Sequence, residues 1–147
     1  MQALIFCGIQ ASGKSTFYCQ RFLNSHVRIS LDLLRTRHRE ALLLKFCLDT
    51  QARFLVDNTN PTVTERQRYI APAKAAGYSI VGYYFNSSAS AALLRNQQRP
   101  LAEQVPAVGI RGTRARLEIP SFAEGFDELY FVRIAEKGGF VVEPWQL

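Results

Sequence analysis

The chain has 147 residues, of which 48% are hydrophobic and 20% are charged. This length and balance are typical of one globular domain with a buried core, and they exclude a disordered or collagen-like chain. A membrane-spanning helix needs roughly 20 consecutive apolar residues, and no run of that length occurs in the sequence. We therefore expect a single domain over residues 1–147 and no membrane segment.

Basic residues outnumber acidic residues, and the excess is unevenly distributed. The formal net charge is +6, and residues 1–119 hold 16 Lys and Arg against 7 Asp and Glu. Fourteen of the basic residues are arginines, whose planar guanidinium makes paired hydrogen bonds to phosphate. This composition favours an anionic partner, and the alternative is a solvated basic surface.

The first residues and the cysteines bear on the cellular compartment. Met1–Cys7 has no basic flank and only about six apolar residues, too few for a secretory signal. Cys7, Cys19 and Cys47 lack the spacing of a metal site, and each lies in an apolar strand or helix pattern. We therefore expect a cytoplasmic protein with three reduced, buried thiols.

Apolar runs that predict strands alternate with patterns that predict helices. Because consecutive parallel strands need a crossover between them, this alternation indicates an α/β fold with a parallel sheet. Gly138 and Gly139, followed by Phe140–Val142, would allow a final edge hairpin. Strands are predicted at Ala3–Cys7, Val27–Ser30, Phe54–Val56, Tyr78–Phe85 and Leu129–Ile134, and helices at Lys14–Leu23, within Asp32–Gln51, at Thr62–Ala76 and at Ala89–Gln98.

The segment Gly8–Ser15 reads GIQASGKS and matches the phosphate-loop pattern G-x-x-x-x-G-K-[ST] in full, directly between a predicted strand and a predicted helix. In such a loop, backbone N–H groups and the positive helix end bind phosphate. Lys14 would reach the β and γ phosphates of ATP or another nucleoside triphosphate, and the Ser15 hydroxyl would ligate Mg²⁺. The alternative is a glycine turn that carries Lys-Ser by chance. The predicted nucleotide-binding residues are Gly8, Gln10, Ala11, Ser12, Gly13, Lys14, Ser15 and Thr16.

Two carboxylates follow predicted strands whose carboxyl ends share one sheet edge with this loop. Asp57 ends Phe54–Val56 as a Walker-B carboxylate does, which predicts a position near the metal ion; alternatively it organises the turn that follows. Asp32 follows Val27–Ser30, where it could take the proton of an acceptor hydroxyl. From spacing alone, the favoured role for Asp32 is instead the N-cap of the next helix.

Arginines are predicted on both sides of this edge. Arg35 and Arg39 follow Asp32 on one helix face, where they could contact an acceptor phosphate or simply be solvated. A second, proline- and glycine-rich group predicts a positive lid over about residues 99–119. Nucleic-acid contact and plain surface charge are the alternatives for that segment. The arginines of this stretch are Arg95, which precedes the lid, and Arg99, Arg111, Arg114 and Arg116 within it.

Six segments together resemble the kinase domain of polynucleotide 5′-hydroxyl kinases, the end-healing enzymes of nucleic-acid repair. The resemblance implies a P-loop kinase fold, with a five-stranded parallel sheet in the order 2-3-1-4-5, helices on both faces and an arginine-bearing lid. It also implies transfer of the γ-phosphate of ATP to the 5′-hydroxyl of DNA or RNA. The segments are Gly8–Phe17, Leu31-Asp32, Val56–Pro61, Arg66–Tyr69, Arg95–Arg99 and Ala123–Phe126.

Carried over by position, the resemblance assigns roles to individual residues. Lys14 and Ser15 match the phosphate-loop pair, and Asp32 matches the general base. Arg35 matches an acceptor-contacting arginine of some members, Arg99 matches the lid arginine, and Arg95 is included with the nucleotide-binding residues. The resemblance thus makes Lys14, Asp32 and Arg99 the expected catalytic residues.

The sequence departs from the family in two places. Leu31 stands where the family commonly has an arginine, and no D-x-D-G-T phosphatase signature occurs, so we expect no 3′-phosphatase activity. Two other functions stay open: a P-loop kinase of a small-molecule hydroxyl, and a nucleotide-binding regulatory protein that transfers nothing. The basic charge argues against the first, and Asp32 with Arg99 argues against the second.

Overall fold

The computed structural model describes residues 1–145. Strands and helices alternate through most of this range, with two short 3₁₀ turns at Leu101–Glu103 and Phe122–Glu124. The strands are β1 (Gln2–Cys7), β2 (Val27–Ile29), β3 (Phe54–Val56), β4 (Ser79–Phe85), β5 (Glu128–Ile134) and β6 (Phe140–Pro144). The helices are α1 (Lys14–Arg21), α2 (Leu31–Leu34), α3 (Arg37–Thr50), α4 (Val63–Ala75), α5 (Ala89–Gln97) and α6 (Ala107–Arg116).

The strands form one sheet in the order β2-β3-β1-β4-β5-β6. The first five are parallel, which confirms the α/β fold and the predicted order 2-3-1-4-5. The predicted strand number of five is wrong by one, because Phe140–Pro144 returns as a sixth strand antiparallel to β5. Gly138 and Gly139 make this return at φ +86° and +78°, in the left-handed region that glycine enters without strain.

Local capping sets where the helices begin and end. Thr62 and Glu65 form the capping box at the start of α4, in which the Glu65 N–H donates to Thr62 Oγ1 over 3.2 Å. Gly77 follows the helix at φ +84°. The helical region after Asp32 is interrupted at Arg35 and Thr36, where Thr36 caps α3 by accepting from the Arg39 N–H.

Both faces of the sheet are buried, as expected of parallel strands covered by helices. Alternate β1 residues show this, because Ala3 and Ile5 pack toward α3 and α4, whereas Leu4 and Phe6 pack toward α1. A third, smaller cluster joins the loop before α1 to α5 and α6 and consists of Ile9, Ala11, Ala92 and Ile110. None of the helices within residues 1–145 is long and apolar enough to span a bilayer.

The prediction that all three cysteines are buried is wrong for one of them. Cys7 and Cys47 are buried, but Cys19 is exposed on α1. It lies two residues after the buried Phe17, and positions two apart in a helix point to different sides.

A buried ion pair fastens α4 to the segment before β5. Arg66 is 0% exposed, and its Nε donates to Glu124 Oε1 over 2.6 Å. A further bond from Arg66 Nη1 reaches the Asn60 carbonyl over 2.8 Å. Removing one partner of such a pair leaves an uncompensated buried charge. Arg66 therefore holds the turn after β3 in place through the Asn60 carbonyl.

We predict that Arg66→Met lowers the free energy of unfolding by about 3–5 kcal/mol, measured by urea denaturation. The control is Lys45→Met, since the Lys45–Asp49 ion pair is exposed and such a pair contributes less than about 1 kcal/mol. Equal losses in the two variants would contradict a structural role for the buried pair.

Candidate active site

Residues 8–13 form the loop between β1 and α1, and two glycines allow its path. A Cβ on Gly8 would lie 2.8 Å from Phe85 Cβ, and one on Gly13 would lie 2.9 Å from the Phe140 ring. Gly13 also has φ +97°, and Ala11 has φ +60°, both in the left-handed region. The loop is therefore wound tightly against β4 and β6, and a side chain at either glycine would displace it.

The Lys14 side chain folds back into this loop. Its Nζ donates to the Gly8 carbonyl over 2.9 Å and to the Ile9 carbonyl over 2.7 Å. Burial lowers the pKa of Lys14 to about 8, and the carboxylate of Asp57 partly opposes that shift. The ammonium is consequently buried against carbonyl oxygens of the phosphate loop.

Ser15, at the start of α1, meets the end of β3. Its Oγ donates to Asp57 Oδ2 over 2.9 Å, and Arg28 of β2 donates to the same oxygen from Nε and Nη2 over 2.9 and 2.7 Å. In the described part of the chain, the Asp57 carboxylate thus accepts from Ser15 and Arg28 rather than from the turn that follows it. Arg28 is a member of this site that the sequence analysis missed.

Ser15 and Asp57 are the residues present that could hold a magnesium ion. Among residues 1–145 no group of three or more His, Cys, Asp or Glu side chains comes together as a metal site. Mg²⁺ that arrives with a nucleotide needs only one or two protein oxygens, because phosphate and water supply the others. One hydroxyl and one buried carboxylate at the phosphate loop fit that requirement.

Asp32 lies at the second position of α2, with its side chain exposed. Its interpretation as an N-cap is wrong, because Ser30 is the N-cap residue and its carbonyl accepts from the Leu34 N–H over 2.9 Å. Asp32 instead borders a cavity of about 330 Å³ that Lys14, Asp57 and Arg99 also line. The structure thus brings Asp32 together with the predicted phosphate-loop, metal and lid residues around one cavity.

A buried polar network fixes the turn that carries Asp32. The Leu31 N–H donates to Asn58 Oδ1 over 2.9 Å, and Asn58 Nδ2 donates to Glu40 Oε2 over 2.9 Å. Glu40 is 2% exposed and also accepts from Tyr69 and from Arg37. The charge on Glu40 is thereby paired and hydrogen-bonded, as a buried carboxylate requires. Sequence reasoning missed Glu40 and Arg37, because they lie among other charged residues at the start of α3, where nothing in the sequence indicates a buried carboxylate.

The two arginines at the end of α5 have different surroundings. Arg95 Nε donates to the Ala11 carbonyl over 2.6 Å, so this side chain holds the phosphate loop from outside. Arg99 lines both the 330 Å³ cavity and a second cavity of about 280 Å³. The second cavity lies on the outer side of the loop and is also bordered by Thr16, Arg95 and Phe140.

The remaining predicted residues are placed around these cavities. Gln10 is tied to the lid segment, since its Nε2 donates to Thr113 Oγ1 over 3.0 Å. Arg35 and Arg39 are exposed, but their prediction on one helix face is wrong. Arg35 ends α2 at φ +73° and Arg39 belongs to α3, so the break between the helices separates them. Ser12 is buried in the loop, and Arg111, Arg114 and Arg116 are exposed on α6.

No protein-family model matches the chain. Over 129 residues, or 85% of the chain, it is 26% identical to a bifunctional polynucleotide phosphatase/kinase of Schizosaccharomyces pombe. The match covers 32% of that protein, so the chain spans about a third of the length of the curated relative it matches.

Solved structures with the same architecture are more distant in sequence. Kti12 of Chaetomium thermophilum, in complex with ADP-AlF3, superposes with a TM-score of 0.67 at 16% identity, covering 89% of this chain and 88% of that one. A gluconokinase of Sinorhizobium meliloti 1021 gives a TM-score of 0.61 at 16% identity, with 89% and 81% covered. The chain therefore has a P-loop kinase fold, and the resemblance to polynucleotide kinases that its motifs indicate is confirmed by the sequence match.

Proposed function

We propose that the chain is an ATP-dependent kinase that transfers the γ-phosphate to the 5′-hydroxyl end of a polynucleotide, with Mg²⁺ as cofactor. The observation that carries this proposal is the cavity shared by Lys14, Asp32, Asp57 and Arg99. Binding a nucleotide needs only the phosphate loop, whereas a carboxylate across the cavity from that loop is what a phosphoryl acceptor needs.

The donor would lie along the phosphate loop. The loop amides and Lys14 would hold its phosphates, and the nucleoside would extend into the second cavity beside Arg95 and Phe140. Ser15 and Asp57 would hold Mg²⁺, whose contribution is to neutralise charge on the phosphates. This orientation directs the terminal phosphate toward Asp32 and leaves Arg99 between the two cavities.

The acceptor would enter from the open side, where Asp32 is exposed. Its carboxylate would orient the 5′-hydroxyl and take the proton as the oxygen attacks the γ-phosphorus. Because the transition state of phosphoryl transfer is loose, a carboxylate of ordinary basicity suffices. Asn58 and Glu40 would keep that carboxylate aimed by holding the Leu31 amide.

Charge and similarity both support a polynucleotide over a small acceptor. Arg35 and Arg39 lie exposed next to the Asp32 turn, and within residues 1–145 neither is in an ion pair. They are available to the phosphates of a single strand whose 5′ end reaches Asp32. The curated relative is a polynucleotide phosphatase/kinase. The gluconokinase neighbour makes a small polyol the alternative to test.

We predict that the purified protein transfers labelled γ-phosphate from ATP to 5′-hydroxyl oligonucleotides and not to gluconate, glycerol or ribose. An oligonucleotide with a 5′-phosphate is the control and should accept nothing. The apparent affinity for the oligonucleotide should fall with added salt, with a log–log slope of about −0.7 per phosphate contacted. Efficient labelling of a polyol, or a flat salt response, would favour the small-molecule function.

Asp32→Asn should lower kcat by about 10² or more, the scale expected when a positioned proton acceptor is removed, while ATP binds almost normally. The matched control is Asp49→Asn, which changes an exposed carboxylate of α3 far from the cavity. The rate of phosphoryl transfer is measured by single-turnover quench and the affinity for ATP by calorimetry, which separates the two effects. If rate and ATP affinity fell together, Asp32 would be a structural residue.

Arg99→Ala should lower kcat by about 10³ with little change in KM for ATP, because a lid arginine meets charge that develops on the transferring group. Arg99→Lys should recover only part of the rate, since an ammonium lacks the guanidinium fork. Arg116→Ala, at a side chain 58% exposed, is the control and should stay near wild type. A silent Arg99→Ala with an inactive Arg116→Ala would place the working arginine on α6 instead.

ATP binding should take up a proton at alkaline pH. The pKa of free Lys14 is about 8, and phosphate beside the ammonium raises it. The nucleotide-free protein therefore lacks more of this proton at pH 8.5 than at pH 7, so the uptake should be larger at the higher pH. Affinity should therefore fall as pH rises above 8, and calorimetry in buffers of different ionisation enthalpy should measure the uptake. Equal uptake at both pH values would contradict the assignment to Lys14.

A further inference from the structure

The guanidinium of Arg28 lies between the two residues that would hold the metal ion. Its Nη2 is 2.7 Å from Asp57 Oδ2 and 3.1 Å from Ser15 Oγ, and its Nε is 2.9 Å from the same Asp57 oxygen. Ser15 Oγ also donates to Asp57 Oδ2. One carboxylate oxygen therefore accepts three hydrogen bonds, two of them from a single fixed cation.

Arg28 is held in this position by its surroundings. It belongs to β2, whose register pairs it with Leu55 of β3, two residues before Asp57. Its Cζ lies 5.6 Å from the centre of the Tyr18 ring, and its side chain is 26% exposed. A guanidinium stacked on an aromatic ring and donating to a carboxylate 2% exposed is not displaced cheaply.

The charges around Ser15 are unfavourable for a free divalent cation. Three cations, Lys14, Arg28 and Arg99, lie around two carboxylates, of which Asp57 is buried and Asp32 is exposed on the same cavity. Both hydrogen-bonding functions that a metal ion would use, the Ser15 hydroxyl and Asp57 Oδ2, already contact Arg28. A dication placed there would be repelled until phosphate oxygens add negative charge.

We propose that Arg28 excludes divalent cations from the nucleotide-free protein, so that Mg²⁺ enters only together with the phosphates of the nucleotide. Arg28 is a positioning residue in this role, because it acts through Asp57 and Ser15. The inference rests on the proposed function only in that these two residues hold the metal ion. It is independent of which hydroxyl accepts the phosphate.

Replacing Arg28 by a neutral side chain should turn the site into one that binds the metal alone. In Arg28→Gln, Asp57 Oδ2 loses two donors and the local charge falls by one, so the carboxylate and the Ser15 hydroxyl become free for a cation. The matched control is Arg21→Gln. It makes the same change of net charge at an α1 arginine that stacks over Phe17, 4.8 Å from the ring centre, instead of contacting Asp57.

The test is titration of nucleotide-free protein with Mn²⁺, a spectroscopic substitute for Mg²⁺, with free Mn²⁺ measured by electron paramagnetic resonance. Wild type and Arg21→Gln should bind no Mn²⁺ at concentrations that saturate their ADP complexes. Arg28→Gln should bind it without ADP, with an affinity at least about tenfold above wild type. The double variant Arg28→Gln/Asp57→Asn should lose this binding, which identifies Asp57 as the ligand.

Two results would overturn the proposal. One is that nucleotide-free wild type binds Mn²⁺ as tightly as its ADP complex does. This measurement needs no variant, so it remains available even if Arg28→Gln fails to fold. The other is a folded Arg28→Gln that binds no more tightly than Arg21→Gln. Failure of the metal site itself would look different, because Mn²⁺ would then bind equally to the ADP complexes of wild type and Asp57→Asn.

Discussion

The turn from β1 into α1 is the constraint on which the rest of the structure depends. β1 lies in the middle of the parallel sheet, with β3 on one side and β4 on the other. Its loop is consequently flanked by the ends of both neighbours, and Gly8 and Gly13 let it pass against Phe85 and Phe140. Because β2 and β3 are parallel to β1 and end at the same edge of the sheet, Asp32 and Asp57, which follow them, lie beside the loop.

Electrostatic balance explains why this edge suits an anion. Lys14 is buried among carbonyl oxygens, and Arg28 already neutralises the nearby carboxylate of Asp57. The unfavourable cost of burying the ammonium, expressed in its lowered pKa, is relieved when a phosphate binds. The positive charges of Arg28 and Lys14 therefore act in the same sense, because they disfavour a lone metal ion and favour the phosphates that accompany it.

Sequence patterns predicted the parts of the site that depend on local structure. The phosphate loop at Gly8–Ser15 was predictable because a short motif encodes its backbone geometry. The position of Asp57 was predictable because this carboxylate ends a short apolar run. The order of the first five strands was likewise predicted, through the family resemblance. The exposed Cys19 was missed, because one apolar residue in an amphipathic helix does not show which side it faces.

Contacts that depend on register between strands and helices could not be predicted. Arg28 is an ordinary strand residue until β2 pairs with β3 and brings it to Asp57. Glu40 lies on a helix whose charged neighbours gave no reason to expect burial, and only the tertiary fold brings Tyr69 of α4 and Asn58 of the turn after β3 to it as partners. These long-range contacts hold the turn that carries Asp32, and a local sequence pattern does not reveal them.

In the proposed reaction, the phosphate donor and the acceptor hydroxyl meet between Lys14 and Asp32. A crystal structure with Mg²⁺, a non-hydrolysable ATP analogue and a short 5′-hydroxyl oligonucleotide tests it most directly. We expect the 5′ oxygen within hydrogen-bonding distance of the Asp32 carboxylate, about 2.6–3.2 Å, and in line with the γ-phosphorus beside Lys14. A 5′ end bound away from Asp32, with that carboxylate in contact only with protein or water, would contradict it.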